Sequence, residues 1–314
     1  MKKFFYRAPL VAALLLNLMF GNVSFAEEDS ISNKNSEQSS EQKSGEMLRN
    51  VEWYWLSSDD KYSKYFDPES LQINSRVITD TNVVPTEIQG WTKTTYTWGG
   101  ASETIKNYGI EKLIPDPSQL SYSLALLKII PQDRTIQYLR EDFYNEDGKL
   151  IWSKNDGRVK EINSQAFDED FYAAMVDEVF REGEVARKNA EDRWIDLWTT
   201  NDENGSTAVT ADTTTFRFRN NNLTFWEWVE TKNAAGNTTE VYFLKKRINL
   251  PQGTEKIVQG DKWTNKTGWD KYDDEMNGGY RMIQEDEPAY KGLIRLRAYA
   301  KNNTEWINRY SVEE

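Results

Sequence analysis

The sequence predicts an α+β protein, mainly antiparallel β, built as two sheet modules, the first with a packed C-terminal helix. Several segments alternate apolar and charged residues with a period of two, as residues 216–219 do, which is typical of a strand with one solvated face. Turn residues such as Asn204-Gly205 separate these segments and favour hairpins. Four short patterns also recur in the same order in both halves, which indicates related modules over residues 51–190 and 191–314.

The first residues have the features of an export signal. Three basic residues precede an apolar stretch over residues 8–20, and Ser24 and Ala26 are small residues before a cleavage point. This arrangement predicts a signal peptide over residues 1–26, with an uncleaved anchor as the alternative. Because the stretch is shorter than the roughly 20 residues that span a bilayer, we expect no membrane span after cleavage. The protein is therefore predicted to be exported to the periplasm, to the cell surface or into the medium.

Residues 27–50 are rich in Ser, Glu, Gln and Lys and contain almost no large apolar side chains. Such a segment cannot bury enough surface to fold, so it is predicted to be a disordered tether. Cleavage removes three of the 39 basic residues and no acidic residue, so 36 basic residues face 51 acidic ones, a net charge of −15. This balance argues against binding to nucleic acid and to anionic membranes.

The chain contains neither Cys nor His. Disulfides, thiol nucleophiles, Ser–His systems and His-based zinc sites are therefore excluded. Any catalysis would rest on carboxylates, hydroxyls, Tyr or Lys. We expect no cofactor and no enzymatic activity.

The repeated patterns pair an aromatic opening, an Asp-led motif, a Trp-rich segment and an apolar-Pro-Gln segment. The pairs are Trp53–Trp55 with Trp194–Trp198, Asp67–Leu71 with Asp212–Phe216, Trp91–Trp98 with Phe225–Trp228, and Lys128–Gln132 with Ile248–Gln252. In the second pair, the Asp side chain is expected to accept a hydrogen bond from a backbone N–H two or three residues further on. It would thereby close a turn before the next strand.

One long helix is predicted after Ser164, a residue type that favours the N-cap. Phe167, Phe171, Met175 and Val179 recur at a spacing of four and would form one buried stripe. In the second half, residues 242–248 alternate as in a strand, with Lys246 as the exception, and residues 294–300 alternate in the same way. A shorter helix is predicted over residues 304–309.

Tryptophan and tyrosine are abundant, with 12 and 16 residues. Such side chains commonly fill sheet cores, and they also form contact surfaces for glycans or proteins. Trp91, Trp98, Trp226 and Trp228 are the candidate ligand-binding residues, with core packing as the alternative.

Two acidic candidates have ordinary structural explanations. Glu227 lies between two Trp residues but would point away from both in a strand, so a solvated sheet position is expected rather than a catalytic one. Asp273, Glu275 and Asn277 partly match a calcium loop, but Gln284 stands where a bidentate acid is needed. A turn is therefore the preferred interpretation there, with calcium as a weak alternative and no metal site predicted elsewhere.

The chain resembles the surface-adhesin protein E family. The resemblance lies in the Tyr65–Leu71 segment (YFDPESL), the Trp-led strand at Trp91, the Tyr144–Gly148 turn (YNEDG) and the helical end of the module. It covers residues 51–185 and, less closely, 191–314. It implies a small antiparallel sheet with a packed helix, and a role in bacterial surface adhesion through host matrix proteins, with haem bound by some members. The missing Cys and His exclude a family disulfide, a lipid anchor on Cys and haem ligation by His.

The sequence thus predicts an exported, adhesin-like binding protein whose partner is a host matrix protein, a glycan or an envelope component. Two alternatives remain open. One is a carboxylate-based hydrolase or glycan-binding protein that acts on envelope or host polysaccharide. The other is a passive envelope protein that self-associates.

Overall fold

The computed structural model describes most of the chain after the predicted tether. The described residues are 51–80, 82–155, 157–181, 185, 188, 193–272 and 279–312. The predicted signal peptide, the tether and the candidate calcium residues Asp273, Glu275 and Asn277 lie outside them. Within the described ranges, no helix is long and apolar enough to cross a membrane.

The first module is an antiparallel sheet accompanied by helices. Its strands are β1 (Tyr54–Ser58), β2 (Tyr62–Phe66), β3 (Gln72–Ile78), β4 (Val83–Tyr96), β5 (Tyr122–Ile130), β6 (Thr135–Tyr144), β7 (Leu150–Lys154) and β8 (Val159–Glu161); its helices are α1 (Trp98–Tyr108) and α2 (Glu169–Val179). The strand order is β1-β2-β4-β5-β6-β7, and β3 also pairs with β4 and β8 with β6.

The second module repeats this arrangement. Its strands are β9 (Trp194–Asp202), β10 (Gly205–Asp212), β11 (Arg217–Arg219), β12 (Asn222–Asn233), β13 (Thr238–Asn249), β14 (Thr254–Thr264), β15 (Gly268–Lys271) and β16 (Arg281–Met282); its helices are α3 (Pro288–Asn302) and α4 (Thr304–Ile307). The order is β9-β10-β12-β13-β14-β15, with β11 paired to β12 and β16 to β14. The predicted fold class is confirmed, and the two sheets match strand for strand.

An aspartate-capped turn occurs at the same place in both modules. Asp67 and Asp212 each accept a hydrogen bond from the backbone N–H two residues further on, at 3.0 Å in both cases. Each thereby caps one turn of 3₁₀-helix, as predicted. The hydroxyl three residues after each aspartate, of Ser70 or Thr215, accepts the backbone N–H of a tryptophan in β4 or β12. These bonds tie each capped turn to the interior of a long strand.

Two β-bulges also recur. The strand register skips Leu56 between β1 and β2, and it skips Leu197 between β9 and β10. It skips Leu139 between β5 and β6, and Val258 between β13 and β14. A bulge reverses which side chains face each side of the sheet beyond it. The two modules therefore share their local irregularities as well as their strand order.

The helices differ most from the sequence predictions. Helix α2 begins at Glu169 rather than near Ser164, and the middle of its predicted stripe, Phe171 and Met175, is fully buried against the first sheet. The prediction of a strand over residues 294–300 is wrong. These residues belong to α3, whose buried residues Leu293, Leu296 and Ala300 follow helical spacing and pack on the second sheet. Helix α1 was not predicted at all.

Candidate functional site

A cleft of about 820 Å³ lies between the two modules. We call it the aromatic cleft; its lining includes Tyr62, Thr94, Tyr96, Tyr108, Tyr138, Glu141, Asp168, Trp226, Trp228, Phe243 and Trp269. Its volume falls in the range of about 300–1,000 Å³ that is typical of ligand pockets. In the first module, the wall of the cleft is formed by the sheet face on which α2 packs. The cleft lies on the part of that face that extends past the N-terminus of the helix. The second module contributes the face opposite α3.

The first wall carries tyrosine hydroxyls bonded to buried acids. Tyr108, at the end of α1, donates a hydrogen bond of 2.5 Å to Glu141 on β6. Tyr138, also on β6, donates one of 2.5 Å to Asp168 just before α2. Burial raises the pKa of Tyr108 and of Tyr138 well above the usual value, so both remain protonated donors. This wall presents ordered acceptors and donors at the base of the cleft.

Glu141 reaches the cleft because of the bulge in β6. If β6 ran from Tyr138 to Glu141 without a bulge, the two side chains would lie on opposite faces, because they are three residues apart and strand side chains alternate. With the bulge, Glu141 pairs with Ala125, a residue of the core under α2. Bulges often re-aim side chains beside functional sites. Glu141 is therefore placed in the cleft by a local irregularity of the strand.

The carboxyl of Glu141 has a raised pKa. Burial raises its pKa to about 7, against the lowering effect of the hydrogen bond from Tyr108; the charge of Asp168 adds to the rise, and those of Lys160 and Lys154 oppose it. A buried carboxyl that changes its charge near neutral pH in a cleft is a candidate functional group.

The second wall is formed by tryptophans. The ring of Trp226 stacks on Phe243, with centroids 4.5 Å apart, and the ring of Trp228 lies 6.1 Å from that of Trp269. The indole N–H groups of Trp226 and Trp269 are buried without a hydrogen-bond acceptor among the described residues. A buried donor without a partner is costly and is commonly satisfied by a water or a ligand. This wall therefore combines flat apolar rings with unsatisfied donors.

Ion pairs join the two modules beside the cleft. Lys245 on β13 lies 2.7 Å from Glu161 on β8, and Arg193 before β9 lies 2.7 Å from Glu169 in α2. Near the end of the chain, the ring of Tyr310 packs against the first module, 4.9 Å from Phe180. These contacts hold the two walls at a defined distance.

The structure separates the four candidate tryptophans into two groups. Trp226 and Trp228 line the cleft on one wall. Trp98 is the first residue of α1 and is 66% exposed. Trp91 lies within β4 on the face opposite the α2 core. Neither lines the cleft. Sequence reasoning did not single out Glu141, Asp168 or the two tyrosines that bind them.

The expectation that Glu227 is solvated is wrong. It shares the face of Phe225, as predicted, but that face is covered by α3, and Glu227 is only 2% exposed. Lys246 lies 2.9 Å from Glu227 and 3.1 Å from Glu255. We call these three residues the ion triad. The triad explains why Lys246 breaks the apolar alternation of its strand, because its charge is used inside the module.

Among the described residues, no cluster of three or more acidic side chains could hold a metal ion. No family model, curated protein or solved structure matches the chain. The chemistry of the cleft itself therefore guides the assignment. Aromatic faces can pack on the C–H face of a sugar ring, while carboxylates and hydroxyls can bond its hydroxyl groups.

Proposed function

We propose that this protein is an exported, adhesin-like binding protein of the bacterial surface or envelope, which holds a segment of a glycan chain in the aromatic cleft without catalysis. One observation carries the proposal. The cleft sets tryptophan rings on one wall against buried acids and tyrosine hydroxyls on the other. The export and the surface role come from the predicted signal peptide and the family resemblance.

A glycan fits this cleft better than a purely apolar ligand does. The half-buried rings of Trp228 and Trp269 supply flat apolar area. The acids Glu141 and Asp168 supply acceptors at the base, and Asn163 and Gln165 on the linking segment supply amide groups. Each acid already accepts one bond from a tyrosine and keeps further acceptor capacity, which a ligand with hydroxyl groups can use and a purely apolar ligand cannot. The mixture of groups therefore favours a ligand that is apolar on its faces and polar at its edges.

The test uses the chain from residue 27 onward and a panel of neutral hexasaccharides, with binding followed by calorimetry and by tryptophan fluorescence. Trp228→Ala should weaken binding at least about tenfold, because half-buried aromatic anchors carry much of the affinity at such sites. Trp98→Ala is the matched control, since it removes the same side chain from an exposed position outside the cleft. Urea unfolding of both variants separates lost contacts from lost folding.

Four results would contradict the proposal. Equal binding by wild type and Trp228→Ala would exclude the cleft as the site. An equal loss in Trp98→Ala would show that the effect is not local. Saturable binding to host matrix proteins that no oligosaccharide competes with would replace the glycan by a protein partner. A mass that rises with concentration, without any ligand binding, would favour the self-associating envelope protein.

A second candidate function is glycoside hydrolysis, which the raised pKa of Glu141 favours. With its pKa near 7, Glu141 remains partly protonated at neutral pH and would donate a proton to the leaving oxygen, as glycosidase acids do. Asp168 in the same cleft would act on the other side of the bond, with water as the second reactant. Release of reducing ends that Glu141→Gln abolishes, while binding is retained, would establish this function. Binding without release would exclude it for the sugars tested.

A further inference from the structure

A second cavity, of about 340 Å³, adjoins the aromatic cleft, and Glu161 and Trp226 line both. We call it the basic cavity, after its five basic lining residues, Arg134, Arg217, Arg219, Lys245 and Arg247. The acidic residues that line it are Asp133 and Glu161. This excess of positive charge is the reverse of the whole chain, whose net charge is −12. The two cavities meet at the ion pair between Lys245 and Glu161.

The guanidinium group of Arg217 is held by uncharged partners, whereas that of Arg134 is paired with Glu169 at 2.9 Å. Arg217 donates to the carbonyls of Thr214, Phe216 and Pro131 and to the hydroxyl of Tyr172, so its partners among the described residues are uncharged. Carbonyl partners orient a guanidinium and leave its charge in place.

Arg247 lies on the same face of the sheet as Thr224, opposite it on β12, and donates to its hydroxyl at 3.2 Å. Arg247 and Arg219 are both exposed. Their charges are therefore accessible from solvent at the mouth of the cavity.

The pKa of a neighbouring side chain, Arg309, is affected by the positive charge of Arg217. Arg309 stacks over Trp306, and its Nε is buried without a partner among the described residues. Burial, followed by the charge of Arg217, lowers the pKa of Arg309 to about 10. An anion bound near Arg217 would offset this repulsion.

We propose that the ligand of the aromatic cleft is an acidic glycan, whose sugar rings lie against the tryptophans and whose carboxylate or sulfate groups enter the basic cavity. This inference rests on the proposed function, because it specifies the ligand of that same cleft. Arginine binds carboxylate and sulfate oxygens through paired N–H donors, which suits the cavity to such groups. Because Glu161 and Trp226 line both cavities, one chain that follows this surface can reach both.

The experiment compares matched oligosaccharides on the chain from residue 27 onward. Hexasaccharides from hyaluronan, polygalacturonate and heparin are each paired with a neutral form in which carboxylates are reduced to alcohols and sulfates are removed. At least one acidic form should bind about tenfold or more tighter than its neutral partner, and salt should reduce this preference because the arginines are partly exposed.

The double variant Arg219→Gln/Arg247→Gln should reduce the preference for the acidic form about tenfold, while its affinity for the neutral form stays within twofold. Lys291→Gln/Arg295→Gln makes the same change of charge on α3, where neither residue lines either cavity, and should leave the preference unchanged. A further control removes two acidic charges, because Glu313 and Glu314 follow the cavity-lining Val312 in the sequence. The variant Glu313→Gln/Glu314→Gln should keep the preference for the acidic form.

The outcomes separate the two proposals. Equal or tighter binding of the neutral forms, or a preference that survives Arg219→Gln/Arg247→Gln, would overturn the acidic-glycan inference and leave the glycan cleft standing. A preference lost equally in the α3 control would overturn it too, because overall charge would then be the cause. If neither acidic nor neutral oligosaccharides bind, both proposals fail.

Discussion

Replacement of Glu141 by Gln should make the stability of the protein less dependent on pH. Burial raises the pKa of Glu141 to about 7 in the folded state, whereas an unfolded glutamate titrates at about 4.3. Between these two values the folded state keeps a proton that the unfolded state has released. This carboxyl therefore lowers the free energy of unfolding as the pH rises through that window. At about 1.4 kcal/mol per pKa unit, the full loss is about 3–4 kcal/mol.

Urea unfolding at about pH 4 and about pH 8 measures this effect, because the two conditions lie on either side of the window. Gln keeps the shape of the side chain and can still accept the bond from Tyr108, but it carries no charge. Relative to wild type, Glu141→Gln should therefore gain about 3 kcal/mol between the two pH values. Glu111→Gln, the same change at an exposed position, should gain much less. An equal gain in both variants, or none in Glu141→Gln, would refute the reasoning.

Three further expectations concern folding, and urea midpoints measure all of them. Lys246→Met should cost about 3–5 kcal/mol because it leaves buried carboxylates unpaired, and adding Glu227→Met should recover most of that loss; no recovery would argue against the ion triad. Asp67→Ala should cost about 1 kcal/mol for a lost cap, and Asp212→Ala should cost more because that carboxylate is also paired with an arginine at 3.0 Å; equal costs would argue against the pairing. Gly100→Ala should lower stability by about 1–3 kcal/mol or more, since its Cβ would lie 2.2 Å from the backbone carbonyl preceding β2; a neutral effect would contradict that close approach.

Local patterns predicted much of the fold. Hairpin turns such as Asn204-Gly205 join the expected strands β9 and β10, and both aspartates of the repeated motif cap turns as their chemistry requires. These features depend on residues close in sequence, so they can be interpreted without knowing the tertiary structure. The stripe in α2 was recognised for the same reason, because residues four apart share one side of a helix.

The misses arose where one pattern fits two structures. In residues 294–300, Leu296 and Ala300 fit both the alternation of a strand and the spacing of a helix. Leu293, which lies outside that window, and Pro288 at the first turn identify the helix. The buried face of helix α1 consists of Gly100, Ala101, Thr104 and Ile105, so only one large apolar residue marks it, and its two adjacent glycines disfavour a helix.

The candidate site depended on facts that no local pattern contains. Glu141 faces the cleft because of a bulge, and a single skipped residue reverses the face of the side chains beyond it. Glu227 was expected in solvent because sequence alternation shows which residues share a face, but not which face a helix covers. Trp226 and Trp228 were correctly grouped as neighbours on one face, while the tyrosines opposite them come from the other module.

The two modules share a topology but contribute different surfaces to the cleft. In the first, the cleft side is the face under α2, where Tyr62 continues the row of core residue Phe66 beyond the helix. In the second, it is the face opposite α3, where Trp226 and Trp228 alternate with core residue Phe225. Side-by-side copies using the same face would have presented two similar walls. Packing helix face against open face instead sets acids and tyrosines against tryptophans, so the proposed binding chemistry belongs to the pair of modules and to neither module alone.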